Sequence, residues 1–493
     1  MPTLHIASYA SQIDQAAKLR DGDSLAQLVS LTDKHGPLLL ESLAKPERGN
    51  AWIDRTLETN APSYAGQFKR TIDKKAGPFA EIATLHVWTL VALNPTTNPM
   101  TQQMYPVDAV VAYEKQHELV TALYRWLMQP TEESTKWALP LLYVVCRDLR
   151  KVAEQADERL LANSQKAGKL EEASRLLQKC FSCCLNDRAS DPKSSRKMGT
   201  YYLATLLFKT YFRLNSTALC RNIIRGINAA DLPMLAEFPL AHQVTYRYYM
   251  AVFAFLREDY TEAEKGFRDA LALCHHRMKR NIELILDYLI PLLLLRGVFP
   301  SEKLLSRSAR HRTLFRPFID AIKLGDVAAY DQHIEAAEKR LMERGTYLIV
   351  ERARESALRG LLKRAWILES KPARMPVETF RQYYNAAWRV HYRRTRGKSL
   401  ADAVTQDEFD KGVGGQLLDG EEMECLLANM IFKGLMKGYI SHSHQLVVLS
   451  KDKPFPWYGP YRNKGPAYLE ARAKRETEER LKMPDLPAVH GAA

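Results

Sequence analysis

His442 and His444 stand two residues apart, and two imidazoles at that spacing on one strand face can bind zinc. Catalytic zinc also needs a third protein ligand and an open position. A zinc isopeptidase would continue from its His-x-His with a serine and then an aspartate at set distances. Here the eighth residue after His444 is Asp452 and the eleventh is Phe455, so the pattern fails and the pair reads as the polar tip of a hairpin. Cys180, Cys183 and Cys184 include a C-x-x-C, but no second pair stands at zinc spacing among Cys146, Cys220, Cys274 and Cys425. With Leu177, Phe181 and Leu185 beside them, these thiols read as small core residues of a helix. No G-x-x-x-x-G-K-[ST] occurs, no serine stands in a G-x-S-x-G elbow, and Gly412-Val-Gly-Gly415 neither follows a strand nor opens a helix. No enzyme, cofactor or metal is expected.

The side chains that remain are cations. Between Thr379 and Ala401 there is no acid, while Arg381, Arg389, Arg393, Arg394, Arg396 and Lys398 are interleaved with Tyr383, Tyr384, Trp388 and Tyr392. Cations in a row suit phosphates and aromatics stack on exposed bases, which makes this a candidate nucleic-acid face. The competing reading is a solvated helix end whose aromatics face the core. Lys433 and Lys437, with Lys451, Lys453, Arg462 and Lys464 beyond them, would reinforce the first reading. A second cluster, Lys303, Arg307, Arg310, Arg312 and Arg316, reads as a solvated turn in preference to a docking surface for an acidic protein. His275-His276, beside Arg277, Lys279 and Arg280, is expected to close a helix whose dipole those cations complement.

The composition agrees with a polyanionic or acidic partner. Among 493 residues, 71 Lys+Arg outweigh 57 Asp+Glu, leaving a formal charge of +14. Such an excess raises encounter rates with polyanions and releases their counterions. With 46% hydrophobic and 26% charged residues the chain is globular, of a length for two to four domains. Tyr288 to Leu295, the most apolar stretch, contains Pro291 and is far short of the about 20 residues that span a bilayer. It reads as a buried helix segment, and no membrane association is expected. Met1 to Arg20 has no basic stretch followed by an apolar core, and seven Cys is an odd count, which suits free thiols in cytosol or nucleus.

Apolar residues recur at three- and four-residue steps over most of the chain, so the protein should be mostly α. The pattern is weak up to about Arg70, strong in Ile82 to Leu93, and broken by a loop from Asn94 to Pro106. Two helices are expected between Val107 and Leu161, the second opening near Ser134. Thr245 to Leu256 and Thr261 to Leu273 form a pair in which Ala251, Tyr260, Ala263, Phe267 and Ala270 match tetratricopeptide positions. Thr200 to Arg213 with Thr217 to Ile227 fits more loosely, which together suggests a solenoid of irregular repeats. After Ser370-Lys371-Pro372, a helix over Pro376 to His391, a second over Gly420 to Gly434, and short strands at Tyr439 to Ser441 and Leu446 to Leu449 follow in winged-helix order. An exposed helix is expected at Tyr468 to Leu481.

Several segments then resemble one family. They are Phe315-Arg-Pro-Phe-Ile-Asp-Ala-Ile-Lys-Leu-Gly-Asp326, Tyr347-Leu-Ile-Val-Glu351, Glu424-Cys-Leu-Leu-Ala-Asn-Met-Ile-Phe-Lys-Gly434, Lys437-Gly-Tyr-Ile-Ser-His442 and Lys453-Pro-Phe-Pro456. Following helical repeats, these resemble the PCI family, named for the proteasome lid, the COP nine signalosome and translation-initiation factor three. The resemblance is to the branch of signalosome-subunit-twelve-like proteins and the PCI subunit of the nuclear-pore-associated mRNA export complex. It covers about Leu170 to Trp457, and Glu47-Arg-Gly-Asn-Ala-Trp52 resembles an N-terminal segment of the subunit-twelve-like members.

The resemblance implies a right-handed, TPR-like helical solenoid ending in a winged helix, with no catalytic residues. It divides the chain into an N-terminal helical region (1–169), helical repeats (170–370), a winged helix (371–455) with a basic insertion at about 388–420, and a charged tail (456–493). It implies edge-to-edge pairing with a second PCI protein, a small acidic, largely disordered lid subunit that clamps the pair, and a basic platform for RNA or DNA. Candidate nucleic-acid residues are Arg381, Arg389, Arg393, Arg394, Arg396, Lys398, Lys433 and Lys437. Leu427, Tyr439, Ile440, Val447 and Leu449 are the candidate partner interface, and with Leu426, Met430 and Ile431 the expected core of the winged helix. The insertion departs from the family pattern. A nuclear scaffold of transcription-coupled mRNA processing or export is the first reading, a signalosome-associated scaffold binding only proteins the second, and a metal-dependent hydrolase the third.

Overall fold

The computed structural model describes residues 6–44, 62–74, 77–97, 104–105, 107–129, 135–189, 191, 194–395 and 417–456. The segment resembling Glu47 to Trp52 and the helix expected at Tyr468 to Leu481 lie outside them. The chain is mostly α and divides into two compact units, Met1–Tyr249 and Met250–Ala493. Among the described residues no helix is long and apolar enough to cross a membrane.

In the first unit the weakly patterned start folds as short helices, α1 (Ile6–Lys18), α2 (Gly22–Leu28), α3 (His35–Ala44) and α4 (Pro62–Thr71). Tyr9, Ile13 and Phe68 are among their buried apolar residues. Of these helices, α1, α3 and α4 pack against α5 (Phe79–Leu93), which is buried on nearly every face. The expected loop after it contains a two-residue antiparallel pairing of β1 (Thr96–Thr97) with β2 (Met104–Tyr105). Next come α6 (Ala109–Leu127) and α7 (Leu139–Ala162), the latter opening later than expected, after a 3₁₀ turn at Lys136–Ala138.

Asp157 near the end of α7 caps the next helix, α8 (Lys169–Leu185), accepting hydrogen bonds from the backbone N–H of Gly168, Lys169 and Leu170 at 2.8–2.9 Å. A carboxylate there also suits the helix dipole. Helices α9 (Thr200–Arg213) and α10 (Cys220–Ala229) follow, and the unit boundary falls within α11 (Leu240–Leu256). Cys146, Cys180, Cys183 and Cys184 are buried free thiols, the last three on α8 as core residues. Burial pushes Cys183 and Cys184 up, away from a reactive thiolate.

In the second unit Gly266 of α12 (Tyr260–Leu273) lies so close to Ala251 that a Cβ on it would stand 2.8 Å from the alanine methyl. The close approach of this pair rests on Gly266 against Ala251, with Ala263, Phe267 and Ala270 buried. The apolar run before Arg296 is the buried second half of α13 (Lys279–Leu295). After the single turn α14 (Glu302–Leu305) come α15 (Ala309–Leu324), α16 (Val327–Glu343) and α17 (Tyr347–Leu368). Gly325 ends α15 in the left-handed region (φ +66°), and a Cβ there would meet the Leu361 amide nitrogen at 2.6 Å. Glycine serves both needs at once: the turn and the close passage of α17.

A winged helix completes the unit. It comprises β3 (Arg374–Pro376), α18 (Val377–Thr395), α19 (Gly420–Phe432), β4 (Gly438–Ser441) and β5 (Leu446–Leu449). The sheet order is β3-β5-β4, all antiparallel, with Tyr439 opposite Val448 and Met375 opposite Val447. Strand β3 was not foreseen, since three residues ending in a proline carry no readable alternation. Met375, Phe380, Tyr384, Met423, Leu427, Met430, Val447 and Leu449 form the core.

Candidate partner and nucleic-acid interface

Strand β5 lies between β3 and β4, so β4 is an edge strand with no other strand beside it among the described residues. An edge presents unpaired N–H and C=O groups and is a template for another chain. Tyr439 is 63% exposed on that strand, and Ile440 is half-buried. Leu427, Val447 and Leu449 are buried, so they support the edge from within and are not available for contact. Tyr439 in turn is surface and does not belong to the core.

The hairpin tip is tied back to α19. The ring of the exposed His442 bonds through Nδ1 to the Glu424 carboxylate at 2.9 Å, and Gln445 donates from Nε2 to the same carboxylate at 3.2 Å. His444 bonds, among the described residues, to Ser441 and Ser443. Among the described residues no three His, Cys, Asp or Glu side chains gather to hold a metal. Both histidines stand in the turn between β4 and β5.

Behind the wing, the chain returns along α17. Arg359, only 3% exposed, donates from Nε to the Pro456 carbonyl at 2.6 Å and from Nη2 to the Phe455 carbonyl at 2.7 Å. Phe455 packs against Trp366. This return gathers cations: Lys437 donates its N–H to the Pro454 carbonyl at 2.7 Å and accepts from the Ser450 N–H at 2.9 Å. Lys437 is thereby brought beside Lys451 and Lys453, all three exposed and without an acidic partner among the described residues.

The other candidate cations fare differently. Arg381 is held by both oxygens of Glu378, at 2.5 and 2.6 Å, which lowers the Glu378 carboxyl below its usual range. Lys433 is exposed but paired with Glu355. Arg389 is half-buried. Arg393 and Arg394 fall on the last turn of α18, and Arg396 and Lys398 lie outside the described residues. Of the aromatics, Tyr384 and Trp388 are buried, and Tyr383 donates its hydroxyl to Glu369 at 2.8 Å. These rings serve the core and α17, and do not form a stacking platform. The five basic residues of the second cluster are likewise split. Arg310, Arg312 and Arg316 pair with Asp287, Glu302 and Asp320, while Lys303 and Arg307 are exposed without an acidic partner among the described residues.

The PCI domain family matches residues 338–451, the span that holds the end of α16, α17 and the winged helix. The chain is 36% identical over 471 residues to Protein CSN12 homolog of Neurospora crassa, covering 90% of this chain and 98% of that one. It is 39% identical over 361 residues to Protein CSN12 homolog of Mycosarcoma maydis, covering 70% and 75%. It is 30% identical over 451 residues to PCI domain-containing protein 2 homolog of Drosophila melanogaster, covering 92% and 98%. With a winged helix on helical repeats and likeness over nearly its full length, the chain belongs to the PCI-domain family, in the branch of the CSN12 homologues and PCI domain-containing protein 2.

Proposed function

We propose that this chain is a non-catalytic scaffold subunit whose winged helix pairs edge to edge with a second PCI-domain protein. A small acidic, disordered subunit clamps the pair, and the basic side of the wing meets RNA or DNA. The setting is nuclear, in transcription-coupled mRNA processing or export. The observation that carries the reading is the bare edge of β4 with Tyr439 exposed on it. An exposed tyrosine offers contact area at low entropy cost and is a common interface anchor. The nucleic-acid part rests on Lys437, Lys451 and Lys453, which two backbone hydrogen bonds bring to one place.

Affinity purification of the tagged protein from its own cells, with mass spectrometry of what stays bound, tests the assembly. Recovery of a second PCI protein and a small acidic subunit, without the signalosome core, supports the reading. Recovery of the full signalosome favours the second reading, a protein-only scaffold, which the likeness to CSN12 homologues keeps in view.

A further inference from the structure

Two basic segments about thirty residues apart in sequence meet on the helical repeats. The first, His275 to Arg280, crosses from α12 to α13. The second runs from Lys303 through Arg307 into α15. Ser308, next to Arg307, donates its hydroxyl to Glu283 of α13 at 2.9 Å, and Glu283 stands one turn from Arg280. Arg307 also lies within electrostatic reach of Cys274, immediately before the histidines. The start of α13 and the start of α15 therefore share one face.

The acids around this face already have partners. Glu283 is engaged by Ser308, and the buried Asp287 by His311 at 2.8 Å, Arg344 at 3.3 Å and Arg310 at 3.5 Å. Glu302 is taken by Arg312 and Arg316. What remains outside is Arg277, Lys279, Arg280, Lys303 and Arg307, all exposed and with no acidic partner among the described residues. Lys279 and Arg280 occupy the first turn of α13, which has no side-chain cap. They do not close α12 as expected; they stand at the positive end of the next helix, where the dipole opposes them until an anion arrives. His275 and His276 stand beside them with ring centroids 4.3 Å apart, both exposed.

We infer that this face is a contact for single-stranded nucleic acid, the five cations gripping phosphates and the imidazole pair stacking on a base. Cations flanking exposed flat rings are the arrangement that tracks a single strand. An acidic protein partner would need apolar anchors at the centre of its contact. Here the exposed large apolar side chain is Met278. The surface adds to the nucleic-acid reading of the wing and does not depend on it.

The test uses the full chain and a fluorescein-labelled 20-mer of oligouridine, followed by anisotropy between about 0.05 and 0.2 M salt. Arg277→Glu/Lys279→Glu/Arg280→Glu should weaken binding about tenfold or more and flatten the salt slope by about 2, the share of three phosphates on a single strand. Arg307→Glu alone should give a smaller loss of the same kind. His275→Ala/His276→Ala should weaken binding with the slope unchanged. Affinity and slope unchanged in the correctly folded triple variant overturn the inference, as does displacement of the RNA by polyglutamate at equal charge. Loss only in Lys437→Glu/Lys451→Glu/Lys453→Glu leaves the wing reading standing and removes this one. Loss only in the α13 variant does the reverse.

Discussion

Asn385 on α18 and Leu418 just before α19 hold each other by a reciprocal pair of hydrogen bonds. The Asn385 carboxamide donates to the Leu418 carbonyl and accepts from the Leu418 N–H, both at 3.0 Å. Between these residues the chain makes its long basic insertion, yet α19 starts in place. Asp419 follows at once as N-cap, closing a capping box with Glu422. One side chain thus fixes where the insertion ends and where the second winged-helix helix begins. Asn385→Ala removes both bonds and leaves the Leu418 N–H without its acceptor, while the Leu418 carbonyl keeps a long contact from Arg381 Nη1 at 3.5 Å, at a cost of about 2 kcal/mol. Asn385→Asp keeps the acceptor but sets a buried carboxylate oxygen against the Leu418 carbonyl, so it should cost at least as much as the alanine. Urea unfolding midpoints rank the three proteins, and equal midpoints would remove the argument.

Arg359 does the corresponding work at the other end of the wing. Its guanidinium is buried against the Phe455 and Pro456 carbonyls. Arg359→Met retains the aliphatic stem but leaves both carbonyls without their donor, for a loss of about 3 kcal/mol. Phe455 should then part from Trp366. Hydrogen exchange of the Lys437 N–H, which bonds to the Pro454 carbonyl, is expected to speed up at least severalfold relative to the unaltered chain, and an unchanged exchange rate counts against the role.

Tyr439 and Leu427 separate the surface of the wing from its core. Tyr439→Glu places a charge on an exposed edge and should change stability by no more than about 0.5 kcal/mol. Leu427→Asp buries an unpaired charge and should cost about 4 kcal/mol or more. Both are expected to lose the PCI partner in co-purification, but only the second with loss of fold. A Tyr439→Glu protein that still recovers its partner at full yield would show that the β4 edge is not the interface.

The order of winged-helix elements was legible because α18, α19 and the hairpin each follow their own period, and their observed spans agree with expectation to within a few residues. The repeat pair was legible through Ala251, Phe267 and Ala270, but its tightest contact, Gly266 against Ala251, was not. Periodicity tells which residues turn inward, not which two touch. The same limit explains Tyr384 and Trp388. They share a basic stretch with arginines, yet lie on the helix face that meets the core. It explains the gathering of Arg280 and Arg307 too, for nothing in sequence reports that Ser308 reaches Glu283.

Gly266 and Ala251 offer a two-sided test of that contact. Gly266→Ala forces the two methyls to 2.8 Å or shifts the helices, and should destabilise by about 1 to 3 kcal/mol despite alanine's better helix propensity. Ala251→Gly alone should cost about 1 kcal/mol. Combined, Ala251→Gly makes room for the new methyl, and the pair should be more stable than the sum of the two changes by about 1 kcal/mol or more. Strict additivity would mean that the helices do not meet there.

His242 gives the first unit a dependence on acid. Its ring packs against the stacked pair of Tyr143 and Tyr202, with centroids at 5.4 and 5.3 Å, and burial pushes its pKa down to about 4. The buried His86 and the half-buried His35, 3.0 Å apart between Nε2 atoms, are lowered by burial in the same direction. A histidine held neutral in the fold takes up its proton only after unfolding, so below about pH 6.5 the unfolded chain binds more protons. The contribution is therefore whole above pH 6.5 and is lost progressively as the pH falls to about 4. For His242 it amounts to about 2 kcal/mol, after discounting the full shift for the ring's partial exposure. His242→Phe fills the same aromatic site without a titrating group. Between pH 7.5 and 4.5 the unfolding free energy of the variant should fall by about 2 kcal/mol less than that of the unaltered chain. Carboxylates contribute equally to both and cancel in the comparison. Parallel pH profiles for the two proteins would place His242 in water instead of against the tyrosines.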